Sequence, residues 1–209
     1  MKYCLLLLFA VINLASINIY AQSDDIELGR PGYGGNGCPG GSASVTLSPD
    51  KKSLSIIFDD FIVETSNRRK VARKSCNIAI PVHVPQGYAV SIIEADFRGF
   101  ISLPRRGEAR FSSEYFFAGQ RGPRYTKRFR GEFDDEYLIG NTIGVESLVW
   151  SKCGADVNLR VNSSLMVRTR RGEGLATLDS ADFNAGIVYH VQWKRCIGSN
   201  NDHFRYSDF

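Results

Sequence analysis

The side chains that could do chemistry in this sequence are carboxylates and histidines on predicted strands. A glycosidase needs two carboxylates about 5–10 Å apart in space, a separation that a sequence does not reveal. His83 and His190 fall on the polar faces of predicted strands and His203 lies near the C-terminus, but no nucleophile motif such as GxSxG accompanies them. The carboxylates that fall on predicted strands are Glu94, Asp96, Glu114 and Asp156. We expect these groups to face solvent or anchor loops, and the sequence designates no catalytic residue.

A second set of residues combines cations with aromatic rings. Residues 121–130 interleave arginine and lysine with tyrosine and phenylalanine, a pattern that polymer-binding surfaces use. Aromatic rings offer stacking platforms for sugar rings, and cations hold acidic groups. Two alternatives stay open, a solvated loop for residues 121–130 and ordinary core packing for residues 115–117. The residues predicted to bind a ligand are Tyr115, Phe116, Phe117, Arg124, Tyr125, Lys127, Arg128 and Phe129.

Three other motifs predict neither a cofactor nor a metal. The glycine-rich residues 32–41 lack the Lys-Ser/Thr pair and the following helix of a phosphate-binding loop, so they indicate a tightly turning backbone. Asp59-Asp60 and the pair Asp179 and Asp182 lack the regular spacing of an EF-hand calcium loop. Asn162-Ser163-Ser164 is an N-glycosylation acceptor if the source is eukaryotic.

Cysteine usage predicts disulfides. Cys4 lies within a predicted signal peptide, and export places the four remaining cysteines where disulfides form and persist. Four cysteines allow three connectivities, and sequence alone does not choose among them. We favour Cys38 with Cys76 and Cys153 with Cys196, since each pair would join the start of one strand to another edge within the same half of the chain. No two cysteines are close enough in sequence for the CxxC knuckles of zinc sites.

The elements that must position these side chains are short strands. Several segments alternate apolar and polar residues with a period of two or are rich in β-branched and aromatic residues, which is typical of strands. They are residues 54–63, 77–84, 88–97, 110–117, 157–161 and 187–193. No window sustains helical periodicity over three turns. The sequence therefore predicts an all-β fold, an antiparallel β-sandwich stabilised by disulfides, with a closed barrel as the alternative and a long loop across residues 118–146.

The N-terminus predicts secretion. Lys2 precedes an apolar run over residues 5–14 and a small-residue cleavage site after Ala21, which together are typical of a signal peptide. The run is shorter than the roughly 20 apolar residues that span a bilayer, so no membrane span is expected. The net charge of +4, which falls by one when Lys2 is removed, is too small to indicate nucleic-acid binding.

The predicted division of the chain has four parts. They are a signal peptide at residues 1–21, a glycine-rich irregular segment at 22–42, a single β-sandwich domain at 43–196 and a flexible C-terminal tail at 197–209. One domain of this length can bury an ordinary core.

Seven blocks of sequence also resemble a known family. They begin with GYGGNGCPGGS at residues 32–42 and continue at residues 47–50, 58–60, 81–88, 113–117, 153–156 and 193–196. In this order they resemble an uncharacterised family of small secreted proteins of fungi and bacteria, known as a domain of unknown function. The resemblance covers residues 32–196 and implies secretion, one β-rich domain and paired cysteines. It implies no activity and no catalytic residues.

These observations predict a secreted β-sandwich that binds an extracellular carbohydrate or surface polymer and performs no catalysis. An acidic polysaccharide is the candidate partner, and no nucleic acid or cofactor is expected. Two alternatives belong to other classes. One is a secreted hydrolase of cell-wall polysaccharide that uses paired carboxylates. The other is a secreted effector or structural protein that binds another protein.

Overall fold

A computed structural model of the chain describes residues 26–178, 186–197 and 205–206. Within these residues the chain forms short and long strands and one 3-10 helix, Val145–Ser147. The strands are β1 (Glu27–Leu28), β2 (Gly32–Gly34), β3 (Ala43–Leu47), β4 (Ser53–Phe58), β5 (Ile62–Glu64), β6 (Val71–His83), β7 (Tyr88–Leu103), β8 (Glu108–Phe117), β9 (Arg124–Arg130), β10 (Phe133–Thr142), β11 (Val157–Arg168), β12 (Leu175–Thr177), β13 (Ile187–Ile197) and β14 (Arg205–Tyr206). No helix in the described part of the chain is long and apolar enough to cross a membrane.

The strands form two antiparallel sheets. The six-stranded sheet has the order β1-β6-β11-β8-β9, and β2 also pairs with β6. The eight-stranded sheet has the order β3-β4-β13-β7-β12-β5, with β10 paired to β7 and β14 paired to β13. This arrangement confirms the prediction of an all-β antiparallel sandwich.

Period-two alternation explains how each strand divides its side chains between the core and solvent. In β8 every second residue from Ala109 to Phe117 is buried, and the residues between them are partly exposed. The inward rings pack across the sheets, with Phe97 and Phe111 centroids 4.8 Å apart and Tyr115 and Tyr189 centroids 5.1 Å apart. Burial of these apolar faces is the main force that holds the two sheets together.

Both favoured disulfides are present. Cys38 and Cys76 have Cα atoms 5.4 Å apart, and their bond ties the glycine-rich segment to β6. Cys153 and Cys196 have Cα atoms 6.2 Å apart, and their bond ties the segment before β11 to β13. The prediction of this connectivity is confirmed.

The prediction of a long loop across residues 118–146 is wrong. Most of this stretch forms two successive strands in different sheets, since β9 pairs with β8 in one sheet and β10 pairs with β7 in the other. The chain therefore crosses between the two sheets here. The buried residues are Phe129 on β9, and Tyr137 and Ile139 two residues apart on β10. Charged outward residues at both strands hid this alternation, because edge strands often carry charges.

The ends of the chain are partly outside the described residues. The predicted signal peptide lies wholly outside them, as do His203, Asp179 and Asp182. The segment expected to be irregular contributes β1 and β2, which pair with β6, and the predicted tail contributes β14. The domain boundaries stay a prediction.

Candidate functional site

The outward side of the six-stranded sheet carries polar side chains in aligned rows, and we call it the polar face: the outward residues of β6, β11, β8 and β9. Its central row consists of hydroxyls. Ser164 lies opposite Ser75 on one side and Ser112 on the other, and Ser112 lies opposite Thr126. The hydroxyl oxygens of Ser112 and Thr126 are 3.1 Å apart. Four neighbouring strands thus present a strip of groups that both donate and accept hydrogen bonds.

A row of amides and charges lies beside the hydroxyls. Asn162 lies opposite Asn77 and Glu114, and Glu114 lies opposite Arg124. Arg124 Nη2 donates to Glu114 Oε2 at 2.6 Å. The Asn77 side chain is exposed and that of Asn162 is half-buried, so the predicted glycosylation acceptor points into this face.

Arginines form the third row, on the other side of the hydroxyls. Met166 lies opposite Arg73 and Arg110, and Arg110 lies opposite Arg128. Arg110 Nη2 is 4.0 Å from the Met166 sulfur, a contact that holds the long side chain against the sheet. Arg73 and Arg128 are exposed.

These rows enclose a groove of about 500 Å³. Three arginines and one glutamate line it together with serine, threonine and asparagine side chains. Because the glutamate is already paired with Arg124, the groove keeps an excess of positive charge. A surface of this kind attracts anions and binds hydroxyl-rich molecules.

The structure divides the residues predicted to bind a ligand between the surface and the core. Arg124 and Arg128 lie on the polar face, Phe116 lies half-buried at its end, and Lys127 is exposed on β9. The side chains that instead point between the sheets are Tyr115, Phe117, Tyr125 and Phe129. Their rings pack in or against the core and do not form a stacking surface on the polar face.

Two of these inward tyrosines have perturbed ionisation. Tyr115 is buried, which raises the pKa of its hydroxyl to about 12, although Asn141 donates a hydrogen bond to that oxygen at 3.1 Å. Burial also raises the pKa of Tyr125, whose ring stacks on Phe97 at 5.5 Å between centroids. Both hydroxyls are neutral near pH 7 and act as packing groups.

Sequence reasoning missed most of the polar face. The missed residues are Arg73, Ser75, Asn77, Arg110, Ser112, Thr126, Asn162 and Ser164. In the sequence these residues are recognisable only as the polar residues at alternate positions of each strand. They form a site only when the strands lie side by side in register.

The candidate carboxylates are placed in three locations. Glu94 and Asp96 share the outer face of the eight-stranded sheet, where Thr142 Oγ1 donates to Glu94 at 3.3 Å and His190 Nε2 is 2.9 Å from Asp96. Glu114 is on the polar face, and Asp156 precedes β11. Among the described residues no group of three His, Cys, Asp or Glu side chains could hold a metal ion.

A second cavity, the end cleft, lies where β6 ends and β11 begins. It has a volume of about 770 Å³. His83 Nδ1 is 2.6 Å from Asp156 Oδ1 at this cleft, and Lys152 and Gln120 also line it. Gln120 Nε2 donates to the Trp150 carbonyl at 3.2 Å. The remaining wall includes apolar residues of β1 and β6 such as Leu28 and Val82.

Residues 24–196 match a family described as a domain of unknown function, DUF4360. The chain belongs to this family. An uncharacterised secreted protein of Arthroderma benhamiae is 33% identical to the DUF4360 chain over 178 residues, which are 83% of this chain and 73% of that protein. The expected membership of a secreted family of unknown function is confirmed. With two disulfides that fit an extracellular protein, the DUF4360 chain is a secreted protein.

Solved structures with some likeness to this DUF4360 chain superpose poorly. The TmCBM61 structure in complex with β-1,4-galactotriose is 12% identical, covers 79% of this chain and 88% of its own, and has a TM-score of 0.25. A family 11 carbohydrate-binding module from Clostridium thermocellum, in complex with a β-1,3-1,4-mixed-linked tetrasaccharide, is 9% identical with a TM-score of 0.21 and coverages of 79% and 87%. The enzymatically active domain of bacteriophage CBA120 tailspike protein 4 is 13% identical over 81% of this chain and 20% of its own, with a TM-score of 0.27. Scores this low carry no argument about function.

Proposed function

We propose that the protein is a secreted, non-catalytic binding protein for an acidic polysaccharide or a comparable anionic surface polymer, held on the polar face. One observation carries the proposal: three arginines and one glutamate surround a groove of about 500 Å³ that also presents hydroxyl and amide side chains. The residues stand in register on four neighbouring strands, which makes the surface rigid before a ligand arrives.

The chemistry of the groove suits both parts of an acidic sugar. A guanidinium group presents a planar fork of donors that matches a carboxylate or sulfate, and Arg73 and Arg110 supply two such forks while Arg124 is already paired with Glu114. Serine hydroxyls and asparagine amides both donate and accept, as sugar hydroxyls do. The groove is open to solvent, so salt is expected to screen its attraction for anions.

We also propose that the glycine-rich residues 32–42 are a family motif because the polar face depends on them. Gly35 has a φ of 139°, and a Cβ there would lie 2.2 Å from the Ser75 carbonyl oxygen. A larger residue would push this segment away from β6 at the hydroxyl row. The same segment is fixed to β6 by Cys38.

Retention on a polymer tests the proposed function. The purified protein, produced in bacteria so that Asn162 is unmodified, is applied to an insoluble polyuronate and to its methyl-esterified form at low and moderate salt. We expect salt-sensitive retention on the acid form and little retention on the ester, since esterification removes the charge and keeps the backbone. The length of the polymer should not change during the experiment. If the protein shortens the polymer, and Glu94→Gln or Asp96→Asn abolishes that shortening, the hydrolase alternative is favoured.

Single arginine variants test the location. Arg73→Ala and Arg110→Ala, which change two arginines that line the groove, should each weaken binding of the acid polymer about tenfold, because a hydrogen bond to a charged group contributes about 1.5–3 kcal/mol and exposure to solvent reduces that value. Arg98→Ala is the matched control, since it removes the same charge from β7 in the opposite sheet. Equal loss in all three variants would show that only the net charge matters and would contradict a site on the polar face.

A further inference from the structure

The groove and one wall of the end cleft, formed by Pro81, His83 and Asn158, lie on the same side of the same sheet. Beyond the amide row, Arg160 lies opposite Ala79 and Phe116, and beyond these Asn158 lies opposite Pro81. All five residues are at least partly exposed. The next outward position of β6 is His83, which lines the end cleft. The outward residues of β6 and β11 therefore connect the two cavities without a change of face.

The two cavities differ in chemistry. The groove is rich in arginine, whereas the end cleft combines Lys152 and Glu27 with the His83–Asp156 pair and apolar side chains. When His83 Nδ1 donates to the Asp156 carboxylate, the other ring nitrogen, Nε2, is left for a ligand. Gln120 uses its amide nitrogen on the Trp150 carbonyl and keeps its amide oxygen as an acceptor. The cleft thus offers separate donors and acceptors beside an apolar wall, the usual composition of a site for one polar ring or chain end.

We propose that the groove and the end cleft are two subsites of one binding track, which takes a linear acidic polysaccharide lying along the strands with one end in the cleft. This inference rests on the proposed function of the polar face and adds the direction and length of the ligand. From Arg73 to His83 the track follows ten residues of β6, or about 33 Å at a rise of roughly 3.3 Å per residue. A short oligomer reaches only the groove, and a long one reaches both subsites.

The track predicts that affinity depends on the length of the ligand. Oligouronates shorter than the groove are expected to bind weakly, and the dissociation constant should fall by about tenfold once the oligomer is long enough to enter the cleft. Isothermal titration calorimetry with a graded series of oligouronates measures this step. In NMR spectra, the backbone amides of Gly119 and Ala155 at the cleft should shift with long oligomers and stay unshifted with short ones.

Variants at each subsite distinguish binding along the whole track from binding in the groove alone. Lys152→Ala and His83→Ala should remove the gain of the long oligomers and leave the short ones unaffected, whereas Arg110→Ala should weaken both. Lys152 is exposed in the segment before β11, so its substitution tests the cleft even if His83→Ala unfolds the protein.

Each of three results would refute the binding track. If no oligouronate binds, the proposed function of the polar face fails and the track fails with it. If short and long oligomers bind equally, and Lys152→Ala changes neither, the groove stands and the track is refuted. A loss of short-oligomer binding in Lys152→Ala would place the ligand in the cleft alone and would also overturn the track.

Discussion

The Tyr189→Phe substitution tests how well the core satisfies its polar groups. Tyr189 is fully buried on β13, and none of the described residues lies within hydrogen-bonding geometry of its hydroxyl. The Ser113 hydroxyl is near that of Tyr189 but outside hydrogen-bonding geometry with it, and it lies 3.1 Å from the Ser163 hydroxyl. A hydroxyl buried without a partner costs about 1–3 kcal/mol in proteins. Phenylalanine removes that cost and leaves a void about the size of one oxygen, worth roughly 0.5 kcal/mol.

We therefore expect Tyr189→Phe to raise the free energy of unfolding by about 1 kcal/mol. Tyr137→Phe is the matched control because the Tyr137 side chain is also buried but its hydroxyl donates to the Thr177 carbonyl at 2.8 Å. Its removal should lower the free energy of unfolding by about 1–2 kcal/mol, since the hydrogen bond to the Thr177 carbonyl is lost. The same loss of a hydroxyl is thus expected to raise the free energy of unfolding at Tyr189 and to lower it at Tyr137.

Urea denaturation followed by tryptophan fluorescence measures both differences, and thermal unfolding should show midpoints displaced by about 2–4 °C in opposite directions. If Tyr189→Phe destabilises the protein as much as Tyr137→Phe does, the Tyr189 hydroxyl has a partner and the reasoning about this core position is refuted. A change in the urea m-value would instead mean that the variant altered the unfolded state.

Two further predictions concern the covalent and ionisable parts of the core. Replacing Cys38 and Cys76 together with alanine should lower the free energy of unfolding by about 3–4 kcal/mol in urea denaturation, because the bond closes a loop with a sequence separation of 38; an unchanged midpoint would contradict this. Burial raises the pKa of Tyr115 to about 12 and raises those of Tyr137 and Tyr189 still further above their ordinary value of 10.0. The resulting stability is fully present below pH 10 and is lost as pH rises from there through the folded values, so the urea midpoint should fall above pH 10; a midpoint that stays constant up to pH 12 would contradict the burial of these hydroxyls.

The strands that sequence predicted well are those with a clear apolar side. Residues 77–84 and 157–161 alternate strictly, and both fall on long strands of the six-stranded sheet, the first of which ends at His83. The strands β9 and β10 were missed because many of their outward residues are charged and Gly122-Pro123 precedes β9. Local composition there resembles a loop, and only pairing with β8 and β7 reveals the strands.

The candidate site shows a second reason why the sequence alone did not predict all of the structure. Tyr115, Phe116 and Phe117 are consecutive, so the strand places the first and third inward and the second outward. Which set faces the core depends on register against the neighbouring strands, and a slip of one residue would reverse it. The sequence showed that the aromatic residues were present and did not show which side they took.

By itself the sequence predicted the secreted class and the β architecture, because composition and a period of two are local properties of the chain. With Cys4 assigned to the predicted signal peptide, it also limited the connectivity of the other four cysteines to three choices. Only the tertiary structure decided the polar face, since Arg73, Arg110 and Arg124 are brought together by antiparallel pairing of strands that are distant in the chain. Register across a sheet arises from the burial of all its inward faces at once, and no single segment carries that information.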